Sequence, residues 1–97
     1  MDQLAKKQRI RELTELIAGI DDPEQIEALL EDLCTRKEIE NMAERVFAAR
    51  LLMEGKTYNQ VIAQANISSA TLSRVSRCVQ YGSGYRNLIR ITKEETE

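Results

Sequence analysis

Residues 57–78 read TYNQVIAQANISSATLSRVSRC, and this stretch decides the fold. Thr57 and Gln60 stand three apart at the head of an apolar-periodic run. That is the capping-box pattern, in which each side chain satisfies an amide that a helix start leaves bare. Val61, Ile62 and Ala65 follow as the inward residues of a short helix. Asn66 stands where that helix must stop, and Asn is the best occupant after Gly of a left-handed position. Ile67 is apolar and plugs the turn, and Ser68 caps a second helix. On that second helix Leu72, Val75 and Val79 point inward, while Ser69, Ala70, Ser73, Arg74 and Arg77 point outward. Two short helices joined by a three-residue turn make a helix-turn-helix. A plain bundle surface would carry Glu and Lys where this outward face carries Ser, Ala and Arg.

The chain before this stretch reads as three further helices. Leu4, Ile10, Leu13 and Ile17 share one face over residues 3–18, and Gly19 to Asp22 end that helix. Asp22-Pro23-Glu24 restarts one with a capping Asp, Pro at the first helical position and an acid in the first turn. Ile26, Leu29, Leu30 and Leu33 continue it at helical spacing. Thr35-Arg36-Lys37-Glu38 fits a second capping box and opens a long helix striped by Ile39, Met42, Ala43, Val46, Phe47, Arg50 and Met53. Gly55 supplies its stop. Ala49, Leu51 and Leu52 are apolar off that stripe, so the helix is buried on more than one face. A 97-residue chain covers such a helix best with a second subunit, and a homodimer is expected. After the second helix of the motif, Gly82 and Gly84 mark an end, Tyr85 to Ile91 a last short helix, and Thr92–Glu97 a solvated tail. The expected organisation is one all-α domain over 1–97. It divides into a helical dimerisation core (1–54), the helix-turn-helix (55–82) and a C-terminal helix and tail (83–97).

Charge is unevenly placed. The chain carries a net −2, yet residues 55–90 hold five bases (Lys56, Arg74, Arg77, Arg86, Arg90) and no acid. Thirteen acids and eight bases lie in residues 1–54. A polyanion approaching the helix-turn-helix therefore meets no carboxylate. The second helix would enter the major groove of double-stranded DNA, which is wide enough for one α-helix. Ser69, Ala70 and Ser73 are short enough to seat it deeply against base edges, with Ser68, Thr71 and Arg74 beside them. Arg77, Lys56, Thr57 and Asn59 would hold phosphates and set register. Short side chains imply modest direct readout, so DNA shape and bridging water carry part of the specificity. The alternative is a protein-interaction adaptor on the same scaffold.

Other classes find little here. There is no histidine, which removes the commonest general base, and the two cysteines have no metal-binding spacing. No catalytic residue, metal or cofactor is expected. Cys34 and Cys78 read as free, buried, reduced thiols of a cytoplasmic protein. No apolar run approaches the roughly 18 residues that a membrane helix needs, and the N-terminus lacks the apolar core of a signal peptide.

From Asp32 to Gly82 the sequence resembles the Trp repressor superfamily, and in particular its YerC/YecD subfamily. The likeness rests on Leu33-Cys34-Thr35, Glu44-Arg45-Val46, Leu52-Met53-Glu54-Gly55 and Ala70-Thr71-Leu72-Ser73-Arg74. Asp32-Leu33-Cys34-Thr35 and Arg77-Cys78-Val79-Gln80-Tyr81-Gly82 are specific to the subfamily. The resemblance implies an interlaced homodimer whose N-terminal helices share one core, with two helix-turn-helix heads repressing transcription at a roughly palindromic operator. A Thr and two Arg of the family's corepressor pocket match Thr35, Arg45 and Arg74. Two positions depart: Val75 stands where the repressor has Gly, and Cys78 where it has Ser. Free tryptophan is therefore not the expected effector, and the sequence leaves open whether another small molecule acts.

Overall fold

The starts read at Asp22, Thr57 and Ser68 and the stop read at Gly55 are built as local hydrogen bonds. The computed structural model describes residues 2–89. Its helices are α1 (Gln3–Ala18), α2 (Pro23–Leu33), α3 (Arg36–Met53), α4 (Tyr58–Gln64) and α5 (Ser69–Tyr81). A further helical run covers 84–89, and no strand occurs among the described residues. The expected end of that run at Ile91 and the tail from Thr92 lie outside the described residues. The chain divides into two compact units, Met1–Arg36 and Lys37–Glu97.

In the first unit, the Asp2 carboxylate caps α1 by accepting the Ala5 N–H, and the Gly19 N–H returns to Glu15 and Leu16 carbonyls. Asp22 caps α2 by accepting the Glu24 N–H, with Pro23 at the first helical position, where its missing N–H costs nothing. Neither helix has a buried residue. Leu4, Ile10, Leu13, Leu16 and Leu33 all stand exposed.

The second unit holds every buried hydrophobic residue among those described. Ala48 and Ala49, both fully buried, are adjacent on α3 and serve two clusters. Ala48 packs with Leu51, Val61, Ala65 and Leu72, and Ala49 with Val75 and Ile89. Leu52 and Ile67 lean on both. Small side chains, Ala48 and Ala49 on α3 and Ala65 at the end of α4, let the short helices lie close. The Ile39, Met42, Val46 and Phe47 stripe of α3 is half-buried or exposed, whereas Leu51 is covered by its own chain.

The α3 stop is a Schellman motif around Gly55, at φ +92°, the left-handed value that favours glycine. The Gly55 N–H donates to Leu52 O (3.0 Å) and the Lys56 N–H to Leu51 O (3.1 Å). Gly82 works differently. Its φ is −86°, but a Cβ there would lie 2.7 Å from the Cys78 carbonyl oxygen, so close approach requires the glycine.

Four expectations are corrected. Asn66 is not left-handed, since no residue other than Gly has positive φ among those described. Ile62 points outward at 41% exposure; the single inward row of this seven-residue helix is taken by Val61, with Ala65 at its C-cap. Gly84 starts the 84–89 run and does not end α5. Cys34 and Cys78 are free thiols but half-buried.

Candidate nucleic-acid interface

Helix α4 starts with both halves of its capping box. Thr57 Oγ1 accepts the Gln60 N–H (3.2 Å) and Gln60 Oε1 accepts the Thr57 N–H (2.8 Å). Helix α5 starts at Ser68, whose Oγ accepts the Thr71 N–H (3.1 Å) and whose hydroxyl donates to Thr71 Oγ1 (3.0 Å). Thr57, Ser68 and Thr71 thus orient the helix starts first. Fully buried Leu72 and nearly buried Val75 fix the rotation of α5 about its axis. That rotation leaves Ser69, Ala70, Ser73, Arg74 and Arg77 exposed together on the opposite face, as the periodicity predicts. Lys56 and Asn59 are exposed beside the start of α4.

The cations of this unit divide by task. Lys56, Arg74 and Arg77 form no ion pair among the described residues, and no carboxylate occurs in 55–89 to neutralise them. Arg86 is engaged: its guanidinium donates to the Val79 carbonyl (3.0 Å) and to that of Gln80, at the end of α5. A cation there also complements the negative end of the helix dipole. Its place shortly past a helix end was the one available sequence signal. Glu44, half-buried on α3, was missed as well: its Oε1 accepts the Asn66 N–H at 2.8 Å. No local pattern announces a bond across 22 residues.

The profile of the family described as Trp repressor protein matches residues 8–92, a span that holds the whole α4–turn–α5 unit. The chain belongs to that family. It is 38% identical over 96 residues to YerC of Bacillus subtilis (strain 168), a protein of uncharacterised function, covering 94% of this chain and 92% of YerC. A Trp repressor-like chain from Staphylococcus aureus matches with a TM-score of 0.84 at 28% identity, over 96% of each chain. A TrpR-like protein from Eubacterium eligens ATCC 27750 matches with a TM-score of 0.85 at 30% identity, over 95% of this chain and 96% of its own. The all-α Trp repressor-like fold is thereby shared, and the family is one of helical regulators.

Within the second unit, Arg45 and Cys78, two of the positions matching the family's corepressor pocket, line different cavities. Arg45 lines a polar cavity of about 220 Å³ with Asn41, Glu44, Asn66, Ile67, Ser68 and Thr71. Cys78 lines a larger apolar one of about 580 Å³ with Val46, Arg50, Tyr85, Leu88, Ile89 and the Gly82 and Gly84 backbone. Val75 lines neither, being 2% exposed within the core, and Arg74 is on the surface. Thr35 belongs to the other unit.

Proposed function

We propose that the chain is a sequence-specific DNA-binding transcription regulator, a repressor, working as a cytoplasmic homodimer with α5 in the major groove of its operator. One observation carries the reading: α5 presents Ser69, Ala70 and Ser73 together with Arg74 and Arg77, which form no ion pair among the described residues, in a stretch without carboxylates. Short side chains admit the helix to the groove, and guanidiniums take phosphates or base edges. Lys56, Thr57 and Asn59 at the start of α4 hold the backbone, and Ser68 and Thr71 keep α5 in register. The dimer is supported by large apolar side chains left uncovered: Leu4 and Ile10 of α1 are 66% and 62% exposed, and Val46 and Phe47 of α3 are 40% exposed.

Free tryptophan is not the effector in this reading. The Val75 side chain lies against Ala49 and Ile89, filling space that the family's Gly leaves open, and a helical Val has essentially one χ1 setting. Forcing a ligand against it costs about 1–3 kcal/mol, or about tenfold to hundredfold in affinity. The decisive experiment selects bound fragments from genomic DNA at stated salt and titrates the best of them, with and without tryptophan. Tight, salt-dependent binding indifferent to tryptophan is expected. Weak, salt-insensitive binding to every fragment would point to the adaptor instead.

A further inference from the structure

The turn between α4 and α5 is built without the left-handed residue that its sequence advertises. In a left-handed cap the amides past the helix return to the helix's own carbonyls. Here the Ala65 N–H does so, reaching Val61 O at 2.8 Å. The Ile67 N–H then bonds Ala65 O at 3.1 Å, closing a three-residue turn on Asn66 of the inverse γ form, which needs only negative φ. The Asn66 N–H is left over, and it donates to Glu44 Oε1 on α3.

We propose that Glu44 is the positioning residue of the reading head: its carboxylate takes the leftover turn amide and so sets where α5 stands on α3. The proposal rests on reading α5 as the DNA-contacting helix. Several observations converge on it. Glu44 is half-buried while its neighbours Asn41, Arg45 and Phe47 are exposed, so it is turned toward the turn and not to solvent. Ser68 and Thr71, the cap of α5, line the same small polar cavity as Glu44 and Asn66. Helix α4 has seven residues, too few to hold its own geometry, so the head depends on ties to α3. The apolar contacts of Val61, Leu72 and Ile67 are non-directional and tolerate small sliding. A bond between a carboxylate and a backbone amide is directional and among the stronger hydrogen bonds.

Amide hydrogen exchange on the full chain tests this at the bond itself. The Asn66 N–H donates to Glu44 Oε1 and the residue is exposed, so removing the carboxylate should open this amide to exchange. Glu44→Ala should speed Asn66 exchange about tenfold or more, while the amides of Leu72 and Val75 keep wild-type protection. Glu44→Gln, with a carbonyl acceptor of the same shape, should restore most of the effect. In titrations of the best genomic fragment, Glu44→Ala should lose about tenfold in affinity with an unchanged salt slope, because Glu44 touches no phosphate. Glu44→Gln should stay within about twofold of wild type. Equal Asn66 exchange in wild type and Glu44→Ala overturns the proposal, as does unchanged DNA affinity. If the wild type binds no DNA, the reading of α5 fails along with the role in DNA recognition. The exchange pattern then still decides whether Glu44 holds the turn.

Discussion

The unit up to Arg36 and the unit from Lys37 are both helical, yet only the second builds a core. Their helices start by the same means: Asp2 and Asp22 cap the first pair, Thr57 and Ser68 cap α4 and α5. Their burial has nothing in common. Ala48, Leu51, Val61, Ala65, Leu72, Val75 and Ile89 are sealed within the second unit, and α1 and α2 seal nothing. Capping and periodicity are enough to place a helix; they do not say which surface will cover it. An isolated helix of 16 residues is marginal in water, and most helical stability comes from packing an amphipathic face. The first unit therefore needs a surface to cover its apolar side chains, and a second copy of the chain is the proposed source.

Substitutions in the two units sharpen or break this contrast. The largest effect is expected at Leu72, fully buried at the centre of the second unit. Leu72→Ala should destabilise by about 2–5 kcal/mol in chemical denaturation, by a similar amount at every protein concentration if the loss is within one chain. Next come Ile10→Ala and Leu13→Ala on α1, which should cost about 1–3 kcal/mol by weakening association. Wild-type unfolding midpoints should rise with protein concentration, and these variants should dissociate at higher concentration in sedimentation. A monomer mass with a concentration-independent midpoint breaks the comparison, since α1 would then be stable uncovered. A third, smaller effect belongs to Gly55, whose positive φ penalises any side chain: Gly55→Ala should cost about 1 kcal/mol by the same denaturation measurement.

The smallest pair separates two arginines of the second unit. Arg86→Ala should lower stability by about 0.3–1 kcal/mol, because the C-terminal end of α5 loses its cation, and leave the salt slope of DNA binding alone. Arg77→Ala should leave stability unchanged and flatten that slope by about 0.9 for each phosphate the side chain neutralises. An Arg77→Ala variant with the wild-type slope would remove α5 from the groove. Ser69→Ala and Ser73→Ala should shift which fragment is preferred with little change in slope, read out by repeating the fragment selection.

Residues close in sequence were legible because their partners are close too. The Thr57–Gln60 box, the Asp22-Pro23 start and the Gly55 stop each close within five residues, so spacing alone specifies the bond. The outward row of α5 followed from the same periodicity, since Leu72 and Val75 have one face to bury. Ile62 was misassigned because a seven-residue helix has one inward row, and Val61 took it. Asn66 was misassigned because its amide had a partner on α3 that no local rule anticipates. By itself, the sequence determined the helices, the caps at Asp22, Thr57 and Ser68, the Gly55 stop, the helix-turn-helix and the acid-free charge around it, all of them set by short-range sterics, hydrogen bonding and composition. Only the tertiary structure decided which apolar faces the chain covers, that Arg86 serves a helix end, and that Glu44 holds the turn. Those choices depend on groups brought together from distant points in the chain, where proximity comes from packing and not from spacing.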